Sequence, residues 1–313
     1  MTLEEFVAQG WKDHGDDAAG VWQSLPQGIA LADTPQRIFA LANLATHVSG
    51  EHLGLWDDGI AFLDRLAALD AIAGGTLEGK GLRRLQAVLD YCADRKESAE
   101  ARLAVAQPGG SIRPESTRIR MLAVAASALA QHGRVAEAAA AFDEALALAD
   151  GYGPGADDPA ARDLAVTGNN LSCALEELPS LDDARTALML RAAETGRRFW
   201  EIAGGWMQVE RAEYRLALSH LRAGLASEGL RHAQECLRIV EANGSDPGEL
   251  FFAREAMARA QLALGDPRAA REERDAAAAA LPRVEDEGFR AFCSEELKKL
   301  DAMLADGSAA RVG

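Results

Sequence analysis

Residues 129–148 read LAQHGRVAEAAAAFDEALAL, and this stretch decides the fold. Gly133 is followed five residues later by Ala138, and apolar residues on either side recur at the three- and four-residue spacing of amphipathic helices. Glycine can adopt the positive φ of a tight reversal, and a small residue lets the second helix cross the first at close range. The stretch therefore predicts two antiparallel helices joined by a short turn.

A turn-forming residue is paired with Gly or Ala five positions later seven times along the chain, at intervals of 39 to 46 residues. A period in this range is typical of helical-repeat solenoids. One hairpin cannot bury its apolar face alone, so neighbouring hairpins must stack to share a core. We therefore predict an all-α protein with over two-thirds helix and no sheet. The seven pairs are Gly15/Gly20, Gly54/Gly59, Asp94/Ala99, Gly133/Ala138, Pro179/Ala184, Gly224/Gly229 and Gly265/Ala270.

The Pro- and Gly-rich segment 106–116 is the clearest candidate for a loop or hinge between two sets of repeats. We predict three divergent hairpins over 1–105, then four more regular hairpins and a capping helix over 117–304. Residues 305–313 are expected to form a flexible tail. The third hairpin is the least regular, because Asp94 stands where a turn glycine is expected. One long helix is the alternative there.

The composition excludes several classes of partner. A net charge of -16 leaves no excess of cations to neutralise phosphates, so neither nucleic acid nor an anionic membrane is an expected partner. The N-terminus has no apolar signal core, and the apolar run Met121–Ala130 is too short to cross a bilayer. The four cysteines are far apart in sequence and lack metal-ligand spacing. We expect a cytoplasmic protein with free thiols and no disulfide.

The histidines do not form a metal-binding motif in the sequence, and we predict no metal and no cofactor. His47 and His52 are five residues apart, which in an α-helix amounts to about 500° and points the two imidazoles some 140° apart. Zinc-binding histidine pairs on one helix face are four residues apart. The other histidines are scattered along the chain: His14, His132, His220 and His232.

Residues 74–81, GGTLEGKG, superficially match the spacing of a phosphate-binding loop. The residue after Lys80 should be Ser or Thr to hold magnesium, and it is Gly81. The preceding residues have a helical pattern rather than that of a strand, so we predict a loop between hairpins. The sequence also contains no nucleophile elbow and no dinucleotide-binding glycine pattern. We expect that the chain is not an enzyme.

The stretch around Gly133 resembles the second half of a tetratricopeptide repeat, with its turn glycine, Glu137-Ala138, Phe142 and a following Ala-Leu. Residues 169–171 with 183–184 resemble the longer repeats of kinesin-light-chain-like arrays. The resemblance implies an α-solenoid, a right-handed superhelix of about seven helical hairpins plus a C-terminal capping helix. It also implies that the first helix of each hairpin lines the inner face.

The resemblance further implies a non-enzymatic scaffold that binds a protein or peptide segment in its groove. The alternatives are a ligand- or peptide-sensing regulator and an assembly factor for another enzyme. Arg suits bidentate capture of carboxylates, Asn pairs with a peptide backbone, and Tyr offers a rigid apolar face. We predict a mildly basic groove for an acidic or carboxylate-terminated segment, unless these arginines pair with nearby glutamates on solvated helix faces. The predicted groove residues are Arg120, Asn169, Asn170, Arg211, Tyr214, Arg215 and Arg259.

Overall fold

The computed structural model describes residues 1–72, 75–106 and 113–306. It is 82% helical, with fifteen α-helices and no strand among the residues described. The helices form seven successive antiparallel pairs followed by a single last helix. The prediction of an all-α protein built from stacked helical hairpins is confirmed. None of the helices in the described ranges is both long and apolar enough to cross a membrane.

The chain divides into two compact units, the first formed by Met1–Pro154 with Asp158–Ala160. This unit contains four hairpins, and its third is a true hairpin rather than one long helix. Its core is aliphatic and centres on buried side chains such as Leu25, Leu41 and Leu63. Its helices are α1 (Leu3–Asp13), α2 (Ala18–Gly28), α3 (Pro35–Thr46), α4 (Trp56–Ala67), α5 (Leu77–Cys92), α6 (Lys96–Val105), α7 (Pro114–Gln131) and α8 (Val135–Tyr152).

The second unit comprises Gly155–Asp157 and the chain from Ala161 onward. It contains three hairpins and the last helix, and one core cluster joins Phe251 to Leu300 and other small or aliphatic side chains. Its helices are α9 (Pro159–Glu176), α10 (Asp183–Ala203), α11 (Trp206–Arg222), α12 (Ala226–Ala242), α13 (Pro247–Ala263), α14 (Pro267–Ala280) and α15 (Glu287–Asp306).

Five of the seven predicted turn residues adopt the left-handed backbone conformation. The residue after Gly133 donates its N–H to a carbonyl five positions back, at 3.0 Å from Arg134 N to Leu129 O, which closes the last turn of α7. Asp94 takes the same conformation without being a glycine, so its hairpin closes in the same way as its neighbours. The five φ values are 64° at Gly54, 60° at Asp94, 73° at Gly133, 76° at Gly224 and 82° at Gly265.

The small residue five positions after each of these turns lies where two helices approach closely. Ala99, Ala138 and Ala270 are buried. A Cβ on Gly59 would lie 2.5 Å from Ser49 Oγ, and one on Gly229 would lie 2.8 Å from Leu221 Cγ. Ala99, Ala138 and Ala270 therefore leave no room for a larger side chain, and at Gly59 and Gly229 even a Cβ would require neighbouring side chains to move.

The first and fifth predicted turns do not follow this rule. Gly15 does not have a positive φ, and Ala184 is exposed. In the fifth hairpin the close approach is made by Gly168 and Gly196 instead: a Cβ on Gly168 would lie 2.6 Å from the backbone nitrogen of Gly196. The longer connection between α9 and α10 removes the need for a left-handed residue, so the spacing rule fails there.

The contact division of the chain falls near residues 155–160. Helix α7 begins at Pro114, and residues 107–112 of the predicted hinge lie outside the described residues. Residues 307–313 of the predicted tail also lie outside them, while helix α15 continues to Asp306.

The segment predicted as a loop over 74–81 is mostly helical, and this part of the prediction is wrong. Helix α5 begins at Leu77, and the Thr76 hydroxyl accepts the backbone N–H of Gly79 at 3.1 Å. Lys80 and Gly81 therefore lie in the first turns of a helix. Residues 73 and 74 lie outside the description.

A π-helical turn over His47–His52 continues α3. Leu53 donates its N–H to the carbonyl of Val48, five positions back, at 3.1 Å. Because the ring closes over five residues, side chains five apart lie about one turn apart. The prediction that His47 and His52 point 140° apart is therefore wrong, since it assumed α-helical geometry throughout.

Replacing Ala138 by Phe should lower the free energy of unfolding by about 1–3 kcal/mol, because the ring overpacks a buried helix crossing. Ala140, exposed on the same helix, is the matched control, and its replacement by Phe should have a much smaller effect. Urea denaturation of the two variants measures the difference. Equal stabilities would mean that the crossing between α7 and α8 is not tightly packed.

Candidate functional site

A cavity of about 490 Å³ lies in the second unit, between successive first helices of the hairpins. Helix α15 stands in the position of a further first helix, so it contributes to the wall as well. This arrangement agrees with the placement that the resemblance implied. The lining residues are Asn169, Cys173, Glu176 and Glu177 from α9 and its end, Glu210, Arg211, Tyr214, Arg215 and Leu218 from α11, Glu249, Phe252 and Arg259 from α13, and Phe289, Phe292 and Glu296 from α15.

Five of the seven predicted groove residues line this cavity: Asn169, Arg211, Tyr214, Arg215 and Arg259. The sixth, Asn170, is exposed and accepts a hydrogen bond of 3.4 Å from the Asn169 amide without reaching the cavity wall. The structure therefore brings together the residues predicted on α9, α11 and α13, apart from Asn170.

Arg120 lies apart from the other predicted groove residues, on α7 of the first unit. It lines a second cavity of about 170 Å³ together with Lys80, Arg84 and Phe39. The charged side chains that line this smaller cavity are all cationic. Arg120 is thus placed on a first helix as predicted, but it does not belong to the site in the second unit.

The arginines of the cavity wall cross-link neighbouring first helices. Arg211 Nε on α11 bonds the Glu249 carboxylate on α13 at 3.0 and 3.2 Å. Arg215 on α11 pairs with Glu176 on α9. Each partner lies 38 or 39 residues away in sequence, which is about one repeat. Equivalent positions of adjacent repeats therefore face each other and carry opposite charges.

Arg259 continues this ladder toward the last helix. It pairs with Glu255 on its own helix and lies 3.4 Å from Glu296 Oε2 on α15. The Tyr214 hydroxyl donates to Glu255 at 3.1 Å, which ties α11 to α13 a second time. Most of the charge that the sequence places on these faces is therefore used to hold successive repeats in register.

The prediction of a mildly basic groove is wrong. Three arginines line the cavity against five glutamates, and each of the three arginines is bonded to a glutamate. The alternative interpretation, in which the arginines pair with glutamates, describes them better, although the pairs of Arg211 and Arg215 join different repeats rather than lying on solvated faces. The Arg211 side chain is still 57% exposed, whereas that of Glu249 is 5% exposed.

Aromatic side chains form the apolar part of the wall. The Phe252 ring lies 5.5 Å from that of Tyr214, 5.9 Å from that of Phe289 and 6.0 Å from that of Phe292. Phe292 is 53% exposed, although its spacing in the last helix predicts a core position. The periodicity places it correctly on the inward side of α15, but that side faces an open cavity. Exposed aromatic area of this kind is typical of a binding surface.

Glu210 is a fully buried carboxyl that sequence reasoning missed. The Cys236 thiol donates to its Oε1 at 2.8 Å, and its Oε2 has no hydrogen-bond partner among the described residues. Burial, together with the neighbouring Glu249 carboxylate, raises the pKa of Glu210 to about 8. The carboxyl is therefore mostly protonated at neutral pH. Residues of other helices bury this carboxyl, and no short stretch of the sequence indicates that burial.

Burial raises the pKa of two further groups on the wall. The pKa of the Cys173 thiol lies above its ordinary value, so the thiol is protonated and a weak nucleophile at neutral pH. The pKa of Glu176 is also raised, although Arg215 and the Ser219 hydroxyl both favour its charged form. With its half-exposed aromatic ring and half-exposed guanidinium, the wall offers apolar contact and hydrogen bonding to a ligand.

No family model matches this chain, and no curated protein matches it in sequence. Among solved structures it is similar to a Signal Transduction ATPase with Numerous Domains (STAND) protein with a tetratricopeptide repeat sensor from Pyrococcus horikoshii. That similarity has a TM-score of 0.44 and 12% sequence identity. It covers 89% of this chain and 42% of the other, so the chain spans less than half the length of that protein.

The difference in unfolding free energy between the Glu210→Gln variant and the wild type should change as pH rises. Gln reproduces the neutral carboxyl, whereas the wild-type group ionises near pH 4.5 when unfolded and near pH 8 when folded. The folded wild type binds the proton more tightly, so its unfolding free energy falls across this window relative to the variant. We expect the unfolding free energy of the wild type, relative to that of the variant, to fall by more than about 1 kcal/mol between roughly pH 5 and pH 8. Denaturation at several pH values measures it, and a constant difference would contradict the assignment.

Proposed function

We propose that this chain is a non-enzymatic helical-repeat protein that binds a protein or peptide segment in the cavity of its second unit. The observation that carries the proposal is the placement of a half-exposed aromatic side chain, Phe292, at the wall of a cavity formed by first helices. The volume of about 490 Å³ lies in the range of about 300–1,000 Å³ that is usual for ligand pockets. The four free cysteines support a cytoplasmic location as part of this proposal.

An apolar side chain of the ligand packs between the aromatic residues on α11, α13 and α15. Tyr214 and Phe252 supply rigid faces, and Phe292 contributes the exposed area that the ligand would cover. Large, rigid side chains of this type bind with little loss of conformational entropy and dominate binding energies. The apolar anchor therefore provides most of the affinity.

Polar groups beside the aromatic wall set the orientation of the ligand. The Asn169 amide can pair with both donors and acceptors of a peptide backbone. Two nitrogens of Arg211 bond Glu249, and a guanidinium carries five N–H groups, so Arg211 can also take a carboxylate of the ligand. On this basis the ligand is an acidic or carboxylate-terminated segment with an apolar residue near the charge.

Arg211 is the residue with which to test this charge preference. Arg215 bonds Glu176, whose carboxylate is almost fully buried, so removing Arg215 would leave an unpaired buried charge and destabilise the unit. The Arg211 side chain is more than half exposed, and Arg211→Gln retains hydrogen-bond donors. Because its partner Glu249 is also buried, the melting temperature of Arg211→Gln is measured beside its affinity, which separates a loss of stability from a loss of binding.

A display library of random peptides, presented with free C-terminal carboxylates, provides the ligand for the test. Selected peptides are synthesised with a free carboxylate and with an amidated C-terminus, and their affinities are measured by fluorescence anisotropy. We expect amidation to weaken binding of wild type more than binding of Arg211→Gln. Equal losses in both proteins would remove Arg211 from the carboxylate contact, and failure to select any peptide would contradict peptide binding itself.

Phe292→Ser should weaken binding of a selected peptide at least tenfold, or about 1.4 kcal/mol, because it removes the exposed apolar wall. Leu264→Ser is the matched control: Leu264 is 43% exposed in the same unit and does not line the cavity. Its affinity should stay within about twofold of wild type. If the two variants bind equally well, the ligand does not lie in this cavity.

A further inference from the structure

Three imidazoles from two separate segments of the first unit lie together. His14 directly follows α1, while His47 and His52 stand at the two ends of the π-helical turn. The ring centroids are separated by 4.9 Å for His14 and His47, 5.0 Å for His14 and His52, and 4.8 Å for His47 and His52. One ring nitrogen from each lies within 4.8 Å of the other two. The prediction that the histidines form no constellation is therefore wrong for these three.

Hydrogen bonds fix the orientation of two of the rings. His14 Nδ1 lies 2.7 Å from the backbone carbonyl of Trp11, and His47 Nδ1 lies 2.7 Å from Glu51 Oε1. A carbonyl and a carboxylate are acceptors, so both Nδ1 atoms carry the proton. The Nε2 atoms of His14 and His47 therefore hold a lone pair in the neutral tautomer, as a metal ligand requires.

The third imidazole places its nitrogen at the spacing of a metal site. His52 Nε2 lies 3.1 Å from His47 Nε2. With Zn–N distances of about 2.0–2.1 Å, two nitrogens of a tetrahedral zinc site lie about 3.4 Å apart. Only a few tenths of an ångström therefore separate this pair from the ligated spacing.

Side chains next to the three imidazoles help to hold them in position. Ser127 on α7 donates its hydroxyl to Glu51 Oε2 at 2.7 Å, so Glu51 bridges α7 and His47. A carboxylate that accepts from a histidine in this way is the usual second shell of a metal-binding imidazole. Trp11 is 40% exposed, and its ring centroid lies 5.4 Å from that of His14 and 5.0 Å from that of His47.

We propose that His14, His47 and His52 bind one divalent transition-metal ion, with Zn²⁺ as the best match. Imidazole nitrogen suits zinc, copper and nickel, whereas magnesium and calcium require oxygen ligands. Three histidines with a fourth position open to water form a known type of zinc coordination. His52 is exposed, so solvent and the ion can reach this cluster.

Binding needs a shift of one proton and a small movement of the rings, since the three nitrogens lie within 4.8 Å of one another and ligated nitrogens lie about 3.4 Å apart. Because His47 Nε2 holds a lone pair, the 3.1 Å contact requires His52 Nε2 to be the donor before the ion arrives. When both Nε2 atoms bind the ion, the proton of His52 moves to its Nδ1, which leaves the imidazole neutral. No other covalent change is required.

The test is a calorimetric titration of the full chain, first freed of metal with a chelator, with zinc chloride. We expect one Zn²⁺ per chain with a Kd of about 10 µM or tighter. His52→Ala and, separately, His14→Ala should weaken binding at least tenfold. His52 is exposed, so its removal should leave the melting temperature of the metal-free protein unchanged.

His220→Ala is the matched control, since His220 belongs to a stacked pair with His232 in the second unit. Its zinc affinity should equal that of wild type. Cobalt absorption provides a second measurement: the strong visible bands of a tetrahedral site should appear in wild type and disappear in His52→Ala. Absence of zinc binding at about 100 µM, or equal affinities of wild type and His52→Ala, would overturn the proposal.

Discussion

A single residue in the left-handed region closes the first helix of five hairpins, and the arrangement of the repeats depends on it. At Gly133 and Gly224 the chain reverses at once, so the second helix starts two residues later. The small residue five positions on then faces the first helix at contact distance. Because this geometry repeats, corresponding first helices stand side by side, and residues about 40 positions apart meet.

Ion pairs join the first helices of the second unit along the cavity wall, and this has a cost. Glu176 and Glu249 are almost fully buried, and burying such groups is unfavourable unless they are paired and hydrogen-bonded. Paired charges fix one register between neighbouring helices. Apolar faces alone would not fix it, since small aliphatic side chains fit one another in several ways. The same pairs leave the aromatic side chains to supply the apolar area of the cavity.

The turns and the helix pairs could be predicted from sequence because a positive φ is a local requirement that glycine meets. Asp94 shows that the spacing carries the information even where the residue type differs. The repeat phase also identified five of the fifteen cavity residues, since it fixes which helix comes first. The partners of the arginines could not be predicted, because a glutamate one repeat away is recognisable only when the rotation of both helices is known.

Other features depended on departures from regular geometry. The prediction for His47 and His52 assumed the 100° per residue of an α-helix, so it placed the two side chains on different faces. The turn is π-helical, and the side chains lie on the same side. Phe292 fits the apolar stripe of its helix, and periodicity alone does not distinguish a core from a cavity wall. Glu210 gives no signal at all, since its raised pKa comes from burial among residues of other helices.

The π-helical turn also accounts for the five-residue spacing of His47 and His52. A π turn accommodates one residue more than the α turn it replaces, so loss of one residue between His47 and His52 would let α3 continue as a regular helix. Both imidazoles would then lie four residues apart on one face of a regular helix, which is the spacing of helical zinc-binding pairs. The extra residue of the π turn therefore sets the angle at which the backbone leads to Gly54, while His47 and His52 lie on the same side with or without it.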